Sequence, residues 1–233
     1  MSRRDELAAN LASTQARIAA ACASAGRAAE DVVLVAVTKT WPASDVRLLA
    51  ELGVRDVGEN RDQEAREKHA SCADLALRWH FVGQLQRNKV SSVATYADVV
   101  HSVDRISLVG ALGRAATSHG RSLVALVQVS LDPTPDAGRG GAAPGDVLAL
   151  AEAISSTPGL ELGGVMAVAP LDADADLAFA RLADVAAGLR RVHPAATTIS
   201  AGMTGDLEAA IRHGATHVRV GTALLGRRTP PVG

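Results

Sequence analysis

Eight short runs rich in Val, Leu, Ile and Ala recur along the chain, with stretches of helical spacing between them. The strand candidates are 32–38 (VVLVAVT), 54–57 (VRDV), 78–83 (RWHFVG), 98–101 (DVVH), 122–130 (SLVALVQVS), 160–168 (LELGGVMAV), 196–200 (ATTIS) and 216–221 (THVRVG). Helical patterns fall near 43–52, 61–72, 86–96, 105–119, 145–157, 173–191 and 204–213. Ser44 with Asp45, and Thr204 with Glu208, read as helix starts, and Gly214 as a helix end. Strands that alternate with helices specify a mostly parallel sheet. Eight such units in 233 residues predict an α/β fold, a single (β/α)8 TIM barrel. The competing open, doubly wound sheet would carry a Gly-rich phosphate loop after its first strand; that position reads TKTWPAS.

An extra amphipathic helix is expected over the N-terminal segment MSRRDELAANLASTQARIAAACASAGR, which has no apolar run long enough for a signal or membrane segment. No linker divides the chain, so residues 1–233 read as one domain, with a Gly/Pro-rich loop over 131–146 (LDPTPDAGRGGAAPGD) after the fifth strand. A net charge of −1 with 48% hydrophobic residues gives a sizeable core and no electrostatic attraction to nucleic acid or membrane. The two cysteines, Cys22 and Cys72, lack metal spacing and point to a reducing compartment. We therefore expect a cytoplasmic protein, monomeric, with no bound metal.

In a barrel of this kind the active face lies at the carboxyl ends of the strands. Those ends deliver Lys39, then Gly58, Glu59 and Asn60, then Gly83, Gln84, Asn88 and Lys89, then Ser102, Asp104 and Arg105, then Gln128 and Met166. The seventh strand runs into SAGMTGD (Ser200, Gly202, Thr204) and the eighth into RVGTALLG (Arg219, Gly221, Thr222). Glycines that admit backbone N–H groups, hydroxyl donors and a following helix start make these last two ends a phosphate cradle. A tight strand-to-helix turn would use the same residues.

Lys39 closes an apolar run, VVLVAVT, where a desolvated ammonium is costly. Two readings are open. The lysine can leave the barrel and pair with Glu59, or burial can lower its pKa so that a neutral amine forms a Schiff base with an aldehyde. An aldehyde that also carries a phosphate is pyridoxal 5′-phosphate. Arg219 alternates with Val218 and Val220 and so faces the barrel interior or its mouth. It can line the barrel as an ordinary ion pair. Against a pyridine nitrogen, its permanent donor would keep that nitrogen unprotonated and the ring a poorer electron sink.

Taken together, VAVTKTWP (35–42), VGENRDQE (57–64), WHFVGQLQRNK (79–89), HSVDR (101–105), GGVMAVAP (163–170), SAGMTGDLEAAI (200–211) and HVRVGTALLGRR (217–228) resemble the pyridoxal phosphate homeostasis protein family. WHFVGQLQRNK followed by HSVDR is the most specific part, although the residues alone give no reason why it should be. The resemblance implies the barrel domain of bacterial alanine racemases without their second domain. It implies that Lys39 carries pyridoxal 5′-phosphate as a Schiff base and that Ser200, Gly202, Gly221 and Thr222 hold its phosphate. It further implies that Met203 lines the phosphate end, Arg219 faces the pyridine nitrogen and Asn60 lies beside the ring. Three positions depart from the family pattern: Arg61 replaces a frequent Tyr, Ala201 a usual Met, and Arg139 stands where a Lys-x-Gly is frequent.

Three functions use such a site. One is a protein that stores, buffers or delivers pyridoxal 5′-phosphate without robust catalysis, with apo enzymes dependent on that cofactor as transient partners. A second is a racemase or lyase, which needs two acid–base groups on opposite faces of the substrate Cα. The third, a cofactor-free Schiff-base aldolase, is disfavoured only by the resemblance. The chain has one tyrosine, Tyr96, on a predicted helix and away from any strand's carboxyl end, so no catalytic residue is assigned.

Overall fold

The computed structural model describes residues 2–132, 140–171 and 173–226. Eight parallel strands close into a barrel in chain order, with the first pairing the last: β1 (Val33–Val37), β2 (Asp56–Glu59), β3 (Arg78–Phe81), β4 (Val99–Val103), β5 (Leu123–Gln128), β6 (Leu160–Met166), β7 (Thr198–Ser200) and β8 (His217–Val220). Each predicted run contains or overlaps one of these strands, and hydrogen-bonded pairing trims most of them by a residue or more at the ends. The helices are α1 (Arg3–Ser24), α2 (Ala43–Glu51), α3 (Asp62–Ser71), α4 (Val90–Tyr96), α5 (Ile106–Ser118), α6 (Val147–Ser155), α7 (Ala175–Val192), α8 (Leu207–Arg212) and α9 (Thr222–Leu225).

Two helix starts differ from the sequence expectation. Pro42 rather than Ser44 occupies the N-cap of α2, and Asp45 turns inward to bind Arg3 at 2.7 Å. The last full helix begins after Asp206, not at Thr204, because the Asp206 carboxylate accepts from the Met203 backbone N–H at 2.6 Å and closes the turn first.

Outward-facing strand residues and the inner faces of α3 to α8 form the main apolar core, which includes Phe81, Leu112, Phe179 and Leu189. The N-terminal helix seals the seam where the barrel closes. Its start is fixed by a reciprocal cap between Ser2 and Asp5. Its apolar stripe of Leu7, Leu11, Ile18 and Cys22 packs with Val218 and Val220 of β8 and Leu224 and Leu225 of α9. Burying each such leucine contributes about 1.5–3 kcal/mol. Thus α1 stabilises the same β7–β8 end where the sequence places a cradle.

Side chains alternate along a strand, and parallel register carries that parity around the barrel. Val35 pairs with both Asp56 and Arg219, Gly58 with His80, and Ser200 with Met166 and His217. These positions therefore share the interior. Val99, Leu126 and Met166 fill one part of it with Val124, and a polar cluster fills the rest. No helix among the described residues is long and apolar enough to cross a membrane.

Candidate functional site

Lys39 lies two residues beyond β1, in a turn closed by the Trp41 N–H donating to the Thr38 carbonyl at 3.1 Å. Its side chain is exposed, so the expectation of a lysine desolvated within the strand is corrected: the chain leaves the barrel one residue earlier. The pairing with Glu59 is corrected too. Glu59 accepts instead from Lys68 Nζ at 2.7 Å and from the Thr38 hydroxyl at 2.6 Å. Lys68, only 6% exposed, also donates to the Thr38 carbonyl and to Glu64, both at 2.6 Å, which satisfies all three of its N–H groups. Burial pushes the Glu59 carboxyl up, while Lys68 and Thr38 pull it back down. The next residue, Thr40, has φ +68° and is the one non-glycine in the left-handed region among the described residues. That conformation is strained for a β-branched side chain. It is held by a bond from the Thr40 N–H to Glu64. A buried lysine and two carboxylates thus fix the backbone on both sides of Lys39.

Arg219 is 5% exposed and reaches across the interior. Its Nη1 donates to the Ser200 hydroxyl at 2.6 Å and its Nη2 to the Ala167 carbonyl at 2.9 Å. Burial lowers the guanidinium to about 10, partly offset by Asp206, which leaves it protonated at neutral pH. Ser200 Oγ also lies 3.0 Å from His101 Nδ1. The hydroxyl expected at the phosphate end is therefore fully buried and engaged inside the barrel.

A different hydroxyl stands at the β7–β8 end. Thr204 Oγ1 accepts from the Ala223 backbone N–H at 3.4 Å, which ties the loop after β7 to the first turn of α9, beside the exposed Thr222. Gly202, at φ +89°, is packed so tightly that a Cβ would come within 2.7 Å of Ala210 Cβ. A Cβ on Gly221 would meet the Val37 carbonyl at 3.3 Å. Behind this end, α1 supplies three clamps: Arg17 donates to the Thr204 carbonyl at 2.9 Å, Asn10 to the Leu224 carbonyl at 3.0 Å and Arg3 to the Leu225 carbonyl at 2.9 Å. Sequence reading missed them because nothing in an amphipathic helix says which polar residues will meet carbonyls. Met203 stays 38% exposed beside the loop.

The two most specific motifs meet in space. In WHFVGQLQRNK, Trp79 packs with Val46, Val57 and Cys72, and Phe81 enters the main core. His80 turns inward, 2.8 Å from His101 of HSVDR. Arg105 of HSVDR donates to the Leu85 carbonyl at 3.0 Å and pairs with Asp104. Gly83 is forced by crowding, since a Cβ there would lie 2.2 Å from the Asn60 carbonyl. Asn60 Oδ1 is buried with no protein partner. Around it, Arg61, Gln63, Gln84, Gln86 and Lys89 line an open cavity of about 390 Å³.

The alanine racemase N-terminal domain model matches residues 6–229. A pyridoxal phosphate homeostasis protein of Mycobacterium tuberculosis is 44% identical and aligns over 97% of this chain and 94% of its own length. The chain belongs to the pyridoxal phosphate homeostasis protein family. PipY of Synechococcus elongatus, solved with PLP bound, is 36% identical with a TM-score of 0.82, covering 94% of this chain and 100% of PipY. Alanine racemase of Clostridium difficile shares the fold, with a TM-score of 0.74 at 16% identity over 97% of this chain and 58% of the racemase. Of the three departures from the family pattern, Arg61 is exposed at the N-cap of α3 and Ala201 is buried, while Arg139 lies outside the described residues.

Proposed function

We propose that this chain binds pyridoxal 5′-phosphate on Lys39 and serves intracellular homeostasis of that cofactor, by storage, buffering or delivery, without robust catalysis. The residues present fit the group. The buried Asn60 Oδ1 is a polar atom still without a partner, the crowded Gly202 and Gly221 leave room only for backbone, and Lys39 and Arg219 supply an amine and a fixed cation. When bound, the cofactor supplies an aldehyde that condenses with a primary amine and a pyridine ring that accepts electron density.

The remaining work falls to this chain's own side chains. Lys39 offers the amine from a turn held by Lys68, Glu59 and Glu64. Arg219 donates toward the ring nitrogen and withholds a proton from it. Thr204, Thr222 and the backbone beside Gly202 and Gly221 hold the phosphate, with Met203 at its edge, and Asn60 contacts the ring. Ser200 acts on Arg219 instead of on the phosphate.

The observation that carries the non-catalytic reading is the position of Tyr96. It is the last residue of α4, 2% exposed and packed in the main apolar core, with its hydroxyl turned back beside Asp62. Burial pushes its hydroxyl well above the ordinary tyrosine range. The one tyrosine therefore offers no acid–base partner across from Lys39. We further propose a monomer in the cytoplasm, with apo enzymes as transient acceptors.

The test is direct. Titration of the apo protein with pyridoxal 5′-phosphate should give a new band near the visible–ultraviolet border, and borohydride should fix a phosphopyridoxyl group on Lys39. Lys39→Ala should abolish both. Label on Lys68 or Lys89 would overturn the assignment.

A further inference from the structure

The barrel interior holds a continuous hydrogen-bond chain that the site described above does not use in full. Arg219 Nη1 meets Ser200 Oγ at 2.6 Å, and Ser200 Oγ meets His101 Nδ1 at 3.0 Å. His101 Nε2 meets His80 Nδ1 at 2.8 Å, and His80 Nε2 meets Asp56 Oδ1 at 2.9 Å. The chain runs from β8 through β7, β4 and β3 to β2. Arg219 has no carboxylate within ion-pair distance among the described residues, and Ser200, His101 and His80 are each at most 1% exposed.

The two ends determine every proton between them. A guanidinium can only donate and an ionised carboxylate can only accept. His80 must then place its proton on Nε2, toward Asp56, which leaves Nδ1 as an acceptor. His101 must place its proton on Nε2, toward His80, which leaves its own Nδ1 as an acceptor. The Ser200 hydroxyl is the remaining donor, and its proton goes to His101 while its oxygen accepts from Arg219. The opposite order would set a bare His80 Nε2 against the Asp56 carboxylate, so it requires one extra proton. Burial first, and then His80 and Arg219, hold His101 well below the ordinary histidine range. Of the other groups near the chain, His217 has its ring 6.2 Å from that of His80, and burial lowers it to about 4. With one proton on each of His80 and His101, these contacts allow a single proton order.

We propose that Ser200, His101, His80 and Asp56 are positioning residues, a one-way donor chain anchored on the Asp56 carboxylate that orients the Arg219 guanidinium. This rests on the reading that Arg219 faces the pyridine nitrogen of pyridoxal 5′-phosphate. The chain keeps Ser200 Oγ turned inward and leaves the Arg219 donors not spent on Ser200 and Ala167 to meet the ring.

The first arm needs no cofactor. Imidazole ¹⁵N shifts of the apo protein at pH 7 should show both His80 and His101 as neutral rings protonated on Nε2. A proton on Nδ1 of either, or a doubly protonated ring, would overturn the chain. The second arm compares dissociation constants for pyridoxal 5′-phosphate and its 1-deaza analogue, which keeps aldehyde and phosphate but lacks the ring nitrogen. The unmodified protein should prefer the natural compound by roughly 10- to 100-fold, the worth of one charge-assisted hydrogen bond. Asp56→Asn and Ser200→Ala should shrink that preference several-fold while affinity for the analogue changes little. An unchanged preference in both variants overturns the positioning role. No preference in the unmodified protein overturns the placement of Arg219 itself, whereas a preference with no label on Lys39 counts against the lysine alone.

Discussion

His80 Nδ1 and His101 Nε2 lie 2.8 Å apart inside the barrel, and this contact joins the two most specific segments of the sequence. The same pair of segments is joined again at the mouth, where Arg105 donates to the Leu85 carbonyl. One link sets the depth of β3 against β4; the other sets the loop that follows β3. Spacing between WHFVGQLQRNK and HSVDR is therefore a consequence of two fixed contacts, one in the interior and one at the rim.

Gly83 turns that crowding into a prediction. A methyl group there would sit 2.2 Å from the Asn60 carbonyl, a backbone atom that cannot swing aside. Gly83→Ala should destabilise the fold by about 1–3 kcal/mol or more in urea denaturation, because overpacking forces the ends of β2 and β3 apart. Gly145→Ala, where nothing lies within 4 Å, should change stability far less. Equal effects would mean that the close approach beside Asn60 is not under constraint.

A second prediction concerns pH. Burial lowers His217 to about 4 in the folded protein, and proximity to His80 pushes the same way. An unfolded histidine titrates near 6.5. The unfolded state thus binds more protons between these values, so stability is full above about pH 6.5 and is lost as pH falls toward about 4. One such group gives a slope of about 1.4 kcal/mol per pH unit within that window, and a total on the order of 3 kcal/mol. Urea midpoints at pH 7, 6, 5 and 4.5 should show this loss, and His217→Gln should flatten it by about one proton. An unaltered slope in the variant would assign the acid sensitivity elsewhere, His101 being the next candidate.

The barrel itself was legible because eight β-rich runs alternate with helical spacings, and strand parity already turned Arg219 inward. Side-chain partners were less legible. Ser200 and Thr204 are both hydroxyls at the end of β7, and only the direction of each separates an interior link from a rim contact. Lys68 lies in α3, a strongly polar helix whose pattern marks no buried face, yet it is buried against Glu59 and Glu64. Local pattern does not record which helix face meets a strand end carrying a carboxylate. The role of α1 was hidden for a related reason: its contacts with Thr204, Leu224 and Leu225 span almost the full length of the chain.

The phosphate end gives a third prediction. Thr204→Ala with Thr222→Ala should weaken binding of pyridoxal 5′-phosphate on the order of 10²-fold, while binding of unphosphorylated pyridoxal changes little, since each hydrogen bond to a charged group is worth about 1.5–3 kcal/mol. Arg17→Ala should act in the same direction but more weakly, because it only braces the Thr204 carbonyl from behind. Equal weakening of both ligands by the double variant would place the phosphate elsewhere.

The last prediction separates a carrier from an enzyme. Abstraction and return of a Cα proton from opposite faces needs two acid–base groups. Lys39 can serve as one, whereas Tyr96 is buried in the core at the end of α4, and burial raises its hydroxyl well above the ordinary tyrosine range. Arg219 is still protonated at neutral pH and held by Ser200 and Ala167; on the proposed reading, in which it faces the ring nitrogen, it would disfavour a protonated ring and so the electron sink that deprotonation requires. Loaded protein incubated with L-alanine in deuterated water should therefore give little exchange at Cα and no D-alanine, even where its spectrum shifts on adding the amino acid. Arg219→Glu should raise Cα exchange in variants that still fold and bind the cofactor, because a carboxylate there favours a protonated ring nitrogen. D-alanine formation by the unmodified protein at an ordinary enzymatic rate of about 1–10³ s⁻¹ would overturn the carrier reading, and it would require a second acid–base group facing Lys39 from some element other than α4.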